Sequence, residues 1–167
     1  MKANELLQRY RKGERDFTGV SLIRENLTEV NLSDANLSKA YLIETNLSRA
    51  NLSKVNLSQA KLIRAHLTEV NLFGANLSQA NLTEVNLVGA NLSQANLTLT
   101  NLSEADISFA ILNSANLNRA NLSQAFLYRT NLTVANLNCA CLYGAFLYRA
   151  EMPDSTVFAQ ESWSYLF

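Results

Sequence analysis

A leucine recurs at every fifth residue along most of this chain, and few folds accept that period. The stretch Asn71–Ala95 shows it in five consecutive units, NLFGA, NLSQA, NLTEV, NLVGA and NLSQA. The frame holds from Phe17 to Met152 for 28 units, and only Phe17, Ile107 and Met152 replace leucine at the centre. Two positions before each centre stand 18 alanines, five valines and three threonines, with Arg15 and Glu25 as the two exceptions.

An α-helix turns about 100° per residue, so leucines five apart would wind around it and form no single stripe. A straight strand fails as well, because an odd spacing sends successive leucines to opposite faces. All the leucines can face one interior only if the chain bends once per unit. The small residue and the leucine are two apart, so both point inward from one short extended segment. The residue between them, usually Asn, and the residue after leucine point outward, and the fifth residue makes the corner. Gly19, Gly74, Gly89 and Gly144 fall in that corner slot, where backbone freedom is useful.

The charges at the corners indicate how many units close a coil. With four units per coil, residues 20 apart stack, giving the columns Arg24–Glu44–Arg64–Glu84–Glu104, Glu29–Arg49–Glu69, Asp34–Lys54 and Arg129–Arg149. Six neighbouring pairs are then opposite in sign and two alike, whereas a spacing of 15 gives three opposite and five alike. The pattern favours a square coil, with the charges opposing wrong register more than adding stability. Seven such coils make a rod of about 34 Å at ordinary strand spacing. Leu82, Leu87, Leu92 and Leu97 lie in the middle of its core. The alanines beside the leucines keep the tube narrow and leave no room for an internal ligand. One outward column reads Asp16, Asn36, Asn56, Asn76, Asn96, Asn116, Asn136, and stacked amides can hydrogen-bond along it.

These units resemble the A-[N/D]-L-x-x repeat of the pentapeptide-repeat family. The resemblance implies an all-β fold, a right-handed quadrilateral parallel β-helix; the handedness comes from the family and not from the spacing. The opening ELLQRYRKGERDF is similar to the N-terminal cap of cyanobacterial members.

The chain divides into an N-terminal helical cap (1–14), the repeat (15–154) and a C-terminal cap or tail (155–167). Residues 3–12 read as a short helix. Asn4 can cap its start, Gly13 suits its stop, and Ala3, Leu6, Leu7 and Tyr10 share one face. A lid of this kind covers the open core and the unpaired strand edge at the rod's end. Arg15 and Glu25, at inward slots in the first coil, are expected at the mouth beneath it, satisfying each other or backbone groups. Fourteen basic and fourteen acidic residues give no net charge to recruit nucleic acid or membrane. With no apolar run of membrane length and no signal-peptide core, a cytoplasmic location is expected.

Little here points to chemistry. His66, the single histidine, has no Cys or carboxylate cluster beside it, and a metal site needs three or four convergent ligands. Cys139 and Cys141 read as surface thiols. No nucleophile has an adjacent base, and no phosphate loop appears. The expectation is a non-enzymatic protein with no cofactor or metal. It would bind or regulate a protein partner through one face of the rod.

Two alternatives stand beside that reading. One is a rigid spacer. The other, implied by the resemblance, is a DNA mimic that inhibits or protects DNA gyrase. Mimicry needs dense negative charge, and residues 65–118 carry four acids while residues 119–149 carry three arginines and no acid. The marked surface feature is aromatic. Phe126 stacks on Phe146 and Tyr128 on Tyr148 at the 20-residue spacing, with Trp163 in the tail. Something should cover such a surface: the tail, a second copy, or both in a homodimer near the C-terminus, as some family members form.

Overall fold

The computed structural model describes residues 1–153, and in them the five-residue frame runs unbroken from Asp16 to Glu151. Every β-bridge is parallel and joins residues 20 apart, from Asp16–Asn36 to Asn131–Glu151. The coil is therefore four-sided, as the corner charges indicate. We number its faces by the first bridging residue of each: face one from Asp16, face two from Ser21, face three from Asn26 and face four from Asn31.

One unit, Asn56–Ala60, shows how the sequence makes a side and a corner. Asn56 N–H donates to the carbonyl of Ala35 on the previous coil (2.9 Å), and Leu57 N–H and Gln59 N–H donate to Asn76 and Ser78 on the next (2.7 and 2.9 Å). Ala60 N–H donates to Leu57 C=O at 3.0 Å and closes the turn. Three bonds between coils and one within the turn thus satisfy the backbone of a unit that has no room for a long strand. The asparagine side chain contributes twice. Its Oδ1 accepts the N–H of Ser58 at 3.1 Å, and its Nδ2 donates to Oδ1 of Asn36 at 3.2 Å. The amide column expected on face one is present, from Asp16 to Asn96 and again from Asn116 to Asn136, and a second runs down face four from Asn51 to Asn91.

The corners hold a less legible demand. All of them, from Gly19 to Arg149, adopt a positive φ, as the third residue of a type II turn must. Only four are glycine; the others lie at φ 53–60°. Val134 is the least suited, being β-branched at φ 58° and 72 % exposed. Val134→Asn should raise stability by about 1 kcal/mol, because asparagine tolerates this region. That corresponds to roughly 2–4 °C in Tm for a chain of this size, measurable by thermal melting.

Leu82, Leu87, Leu92 and Leu97 are buried, as are Ala80, Val85, Ala90 and Ala95 beside them. Thr45, Thr100 and Thr130 take the small-residue slot without loss, since each hydroxyl donates to a buried carbonyl, of Leu22, Leu77 and Ile107, at 2.7–2.9 Å. Of the six opposite-charge corner pairs, four form: Arg24 and Arg64 flank Glu44, and Glu29 and Glu69 flank Arg49. Asp34–Lys54 and Arg64–Glu84 are not among the ion pairs of the described residues.

The lid is helix α1, Ala3–Arg11, with Ala3 and Leu6 buried against the first coil. Asn4 does not cap it. Lys2 holds the N-cap position with no side-chain cap of its own, and the acceptor comes from the coil below: Glu25 Oε2 takes the N–H of Ala3 at 3.0 Å. Lys2 Nζ reaches the other Glu25 oxygen at 2.9 Å. Arg15 does not pair with Glu25 and is not buried. Its Nη1 donates to the carbonyls of Tyr10 and Glu14 at 2.9 Å, and its guanidinium lies 3.8 Å from the Tyr10 ring centroid. The two charged exceptions of the repeat therefore serve the two ends of one helix, the carboxylate at its positive end and the guanidinium at its negative end. Gly13, at φ 95°, ends it as expected.

At the other end, Leu137 and Leu142 of the seventh coil are only partly buried. The C-terminal cap or tail expected over 155–167, including Trp163, lies outside the described residues.

Candidate interaction surface

Face three changes character along the rod. Its bridging column reads Asn26, Asn46, His66, Asn86, Asp106, Phe126, Phe146. His66 is exposed between two asparagines, and among the described residues no group of three or more His, Cys, Asp or Glu converges. Cys139 and Cys141 are free and exposed.

In the last two coils the asparagines give way to rings. Phe126 and Phe146 stack with centroids 4.4 Å apart and planes 12° from parallel. Beside them Tyr128 and Tyr148 stack at 5.7 Å and 17°. The sequence reading named these four, and the coil brings all of them together. It missed Phe109, which occupies a corner of the fifth coil and meets Tyr128 edge-to-face at 5.1 Å. The signal was present, since Phe109 sits in the corner column of Arg129 and Arg149. Phe109 and Phe126 remain 49 % and 44 % exposed, so the patch is not a satellite core.

The corner arginines complete the surface. Arg129 lies 6.0 Å from the Tyr128 ring centroid and Arg149 lies 5.3 Å from that of Tyr148, within cation–π range. Neither forms an ion pair with a described carboxylate. The arginines of the first three coils differ: Arg24, Arg49 and Arg64 are each held by glutamates 20 residues away.

The rings cost the rod hydrogen bonds. Wherever Asn or Asp holds the bridging slot of face three from Asn46 to Asp106, it can accept the N–H two residues on, as Ser48, Val88 and Ser108 show at 3.0–3.1 Å. Phe126 and Phe146 cannot accept, so the turns at Tyr128 and Tyr148 lose that bond. Local departures of this kind mark places where something other than folding sets the residue.

Four stretches, residues 16–49, 50–87, 80–119 and 115–152, each match the family model described as pentapeptide repeats (8 copies). Among solved structures, trypsin-treated QnrB1, a plasmid-mediated fluoroquinolone resistance protein, is 17 % identical, with 83 % of this chain and 80 % of that one covered and a TM-score of 0.59. HetL, a pentapeptide-repeat protein involved in heterocyst differentiation regulation in the cyanobacterium Nostoc sp. strain PCC 7120, is 28 % identical over 94 % of this chain and 99 % of its own, with a TM-score of 0.32. Rfr23 from the cyanobacterium Cyanothece 51142 is 31 % identical over 85 % and 92 %, with a TM-score of 0.34. No curated protein matches the chain.

Proposed function

The chain belongs to the pentapeptide-repeat family, and from that premise we propose that it is a non-enzymatic binding or regulatory protein. It engages a protein partner in the cytoplasm through the C-terminal end of face three. The four-sided coil, right-handed in this family, gives each face a regular geometry along the rod, and the stacked leucines and alanines fill the interior of the described coils, so the reading places binding on the outer faces. One observation carries the reading: stacked Phe126/Phe146 and Tyr128/Tyr148 take slots that the earlier coils of face three fill with Asn, Asp, Ser or Thr, save for His66 and Val88, and where the Asn and Asp residues from Asn46 to Asp106 accept a turn amide. Exposed aromatic area beside arginine is the composition of interface hot spots.

DNA mimicry at gyrase fits the charge less well. Glu29, Glu44 and Glu69 are neutralised by arginines on neighbouring coils. Few free carboxylates are left to stand for a duplex carrying one charge per about 1.7 Å.

The test is a variant that restores the repeat, Phe126→Asn, Phe146→Asn, Tyr128→Ser and Tyr148→Ser, used as bait beside the wild type in cells that express the protein. The reading expects a discrete protein retained by the wild type and lost by the folded variant. Identical retention by both would refute it.

A further inference from the structure

We infer that the partner segment seated on the C-terminal end of face three is acidic, an extended stretch of protein carrying glutamate or aspartate beside apolar side chains. This rests on the reading above that the face binds protein, and adds the chemistry of what it binds.

The charge distribution carries the inference. Residues 119–149 hold three arginines and no acid. Arg129 and Arg149 belong to one corner column, 20 residues and one coil apart, so two like charges adjoin at strand spacing. Elsewhere on the rod this column alternates, Glu29–Arg49–Glu69, and its charges pair. Glu151, the one acid of the described seventh coil, lies past this corner on face four and pairs with neither arginine, so both guanidiniums are left for an acceptor from outside the described residues. A carboxylate between the two guanidiniums would relieve their repulsion and accept from both. The rings alongside supply the apolar area on which neighbouring side chains of such a segment would rest. The nearest acids below, Glu104 and Asp106, border the patch on the N-terminal side and set the limit of its positive field.

Other occupants fit less well. A second copy related by a two-fold axis through this face would bring Arg129 and Arg149 toward their own counterparts. Nucleic acid would need ring faces for its bases, and Phe126 and Phe146 already spend facing sides on each other, at 4.4 Å.

Two labelled peptides of equal apolar content separate these cases. In one, glutamates alternate with leucine and phenylalanine; in the other, lysine replaces every glutamate. Anisotropy with the full chain should show binding of the acidic peptide only, weakened by salt. Arg129→Glu/Arg149→Glu should reduce that binding by about tenfold or more, while its melting temperature stays near that of the wild type. Binding of the lysine peptide instead would overturn the acidic assignment and leave the protein-binding face standing. Binding of neither, with the native partner also retained by the repeat-restoring variant, would remove both. Tighter binding of a labelled oligothymidylate would assign the surface to nucleic acid. Sedimentation of the chain alone as a dimer abolished by Phe126→Asn/Phe146→Asn would assign it to a second copy. A photocrosslinker at Tyr128 that reacts only within the chain would assign it to the chain's own C-terminal residues. Each of these three results overturns the inference.

Discussion

Leu87→Asp should yield no folded protein. Leu87 is wholly buried in the fourth coil, stacked between Leu67 and Ile107, both also fully buried. An unpaired carboxylate there costs several kcal/mol, against a total stability of about 5–15 kcal/mol for an ordinary domain. The loss is not local, because each coil is the template for the next: Leu87 N–H donates to Asp106 C=O and Leu67 N–H to Asn86 C=O, both at 2.7 Å. The expected result is an insoluble chain, or one whose circular dichroism lacks β signal. Leu87→Met, which keeps the volume, should cost less than about 1.5 kcal/mol in a denaturant titration. Comparable stability of the aspartate variant would mean that residue 87 does not face the interior.

Glu25→Lys should detach the lid. The substitution removes the acceptor at the helix N-terminus, brings a like charge to Lys2, and sets a cation against the positive end of the helix. With α1 displaced, the cover contributed by Leu6 is lost and the first coil's strand edge is open to other chains. The expected signs are reduced helical circular dichroism, early proteolytic cleavage within the helix, and end-to-end association, with the central coils intact.

Acid should act on the wild type in the same direction. The Ala3 N–H, and after it Lys2, hold the Glu25 carboxyl below its ordinary value of 4.5. A carboxylate with a depressed folded pKa adds stability that is fully present above the unfolded value and is lost as pH falls through the folded one. Glu44, held down mainly by Arg24, and Glu14, held down mainly by Arg9, follow the same rule at the same end. The lid should therefore open below about pH 4.5 before the rod melts. Glu25→Gln should open more readily at neutral pH and respond less to acid. A lid equally secure in Glu25→Lys would contradict this account of its attachment.

The period of five carried most of the fold. It set inward leucine and alanine, one bend per unit and, through the corner charges, the spacing of 20 that every bridge obeys. It also placed four rings of the surface, because residues 20 apart stack and Phe126 and Tyr128 therefore meet Phe146 and Tyr148. What stayed hidden depends on contacts that the period does not encode. Lys39, Gln79 and Val134 carry no mark of a left-handed backbone, yet the corner imposes it on all three. Asn4 looked like a helix cap because it has the right chemistry near the right place. The cap instead comes from Glu25, 22 residues from the Ala3 N–H that it accepts, a pairing visible only after the first coil closes. Phe109 escaped notice because it reaches the rings from a corner rather than from the bridging column.

The central claim is that the rings of face three are kept for binding and not for the rod. The thermal melting of Phe126→Asn/Phe146→Asn tests it most directly. The exchange gives up one stacked pair, worth about 0.5–1.5 kcal/mol beyond its buried area. It regains two side-chain bonds to the turn amides, worth about 0.5–1.5 kcal/mol each. The account predicts a Tm within about 3 °C of the wild type. A fall of about 10 °C or more would show that the rings hold the last coils together, and would contradict it.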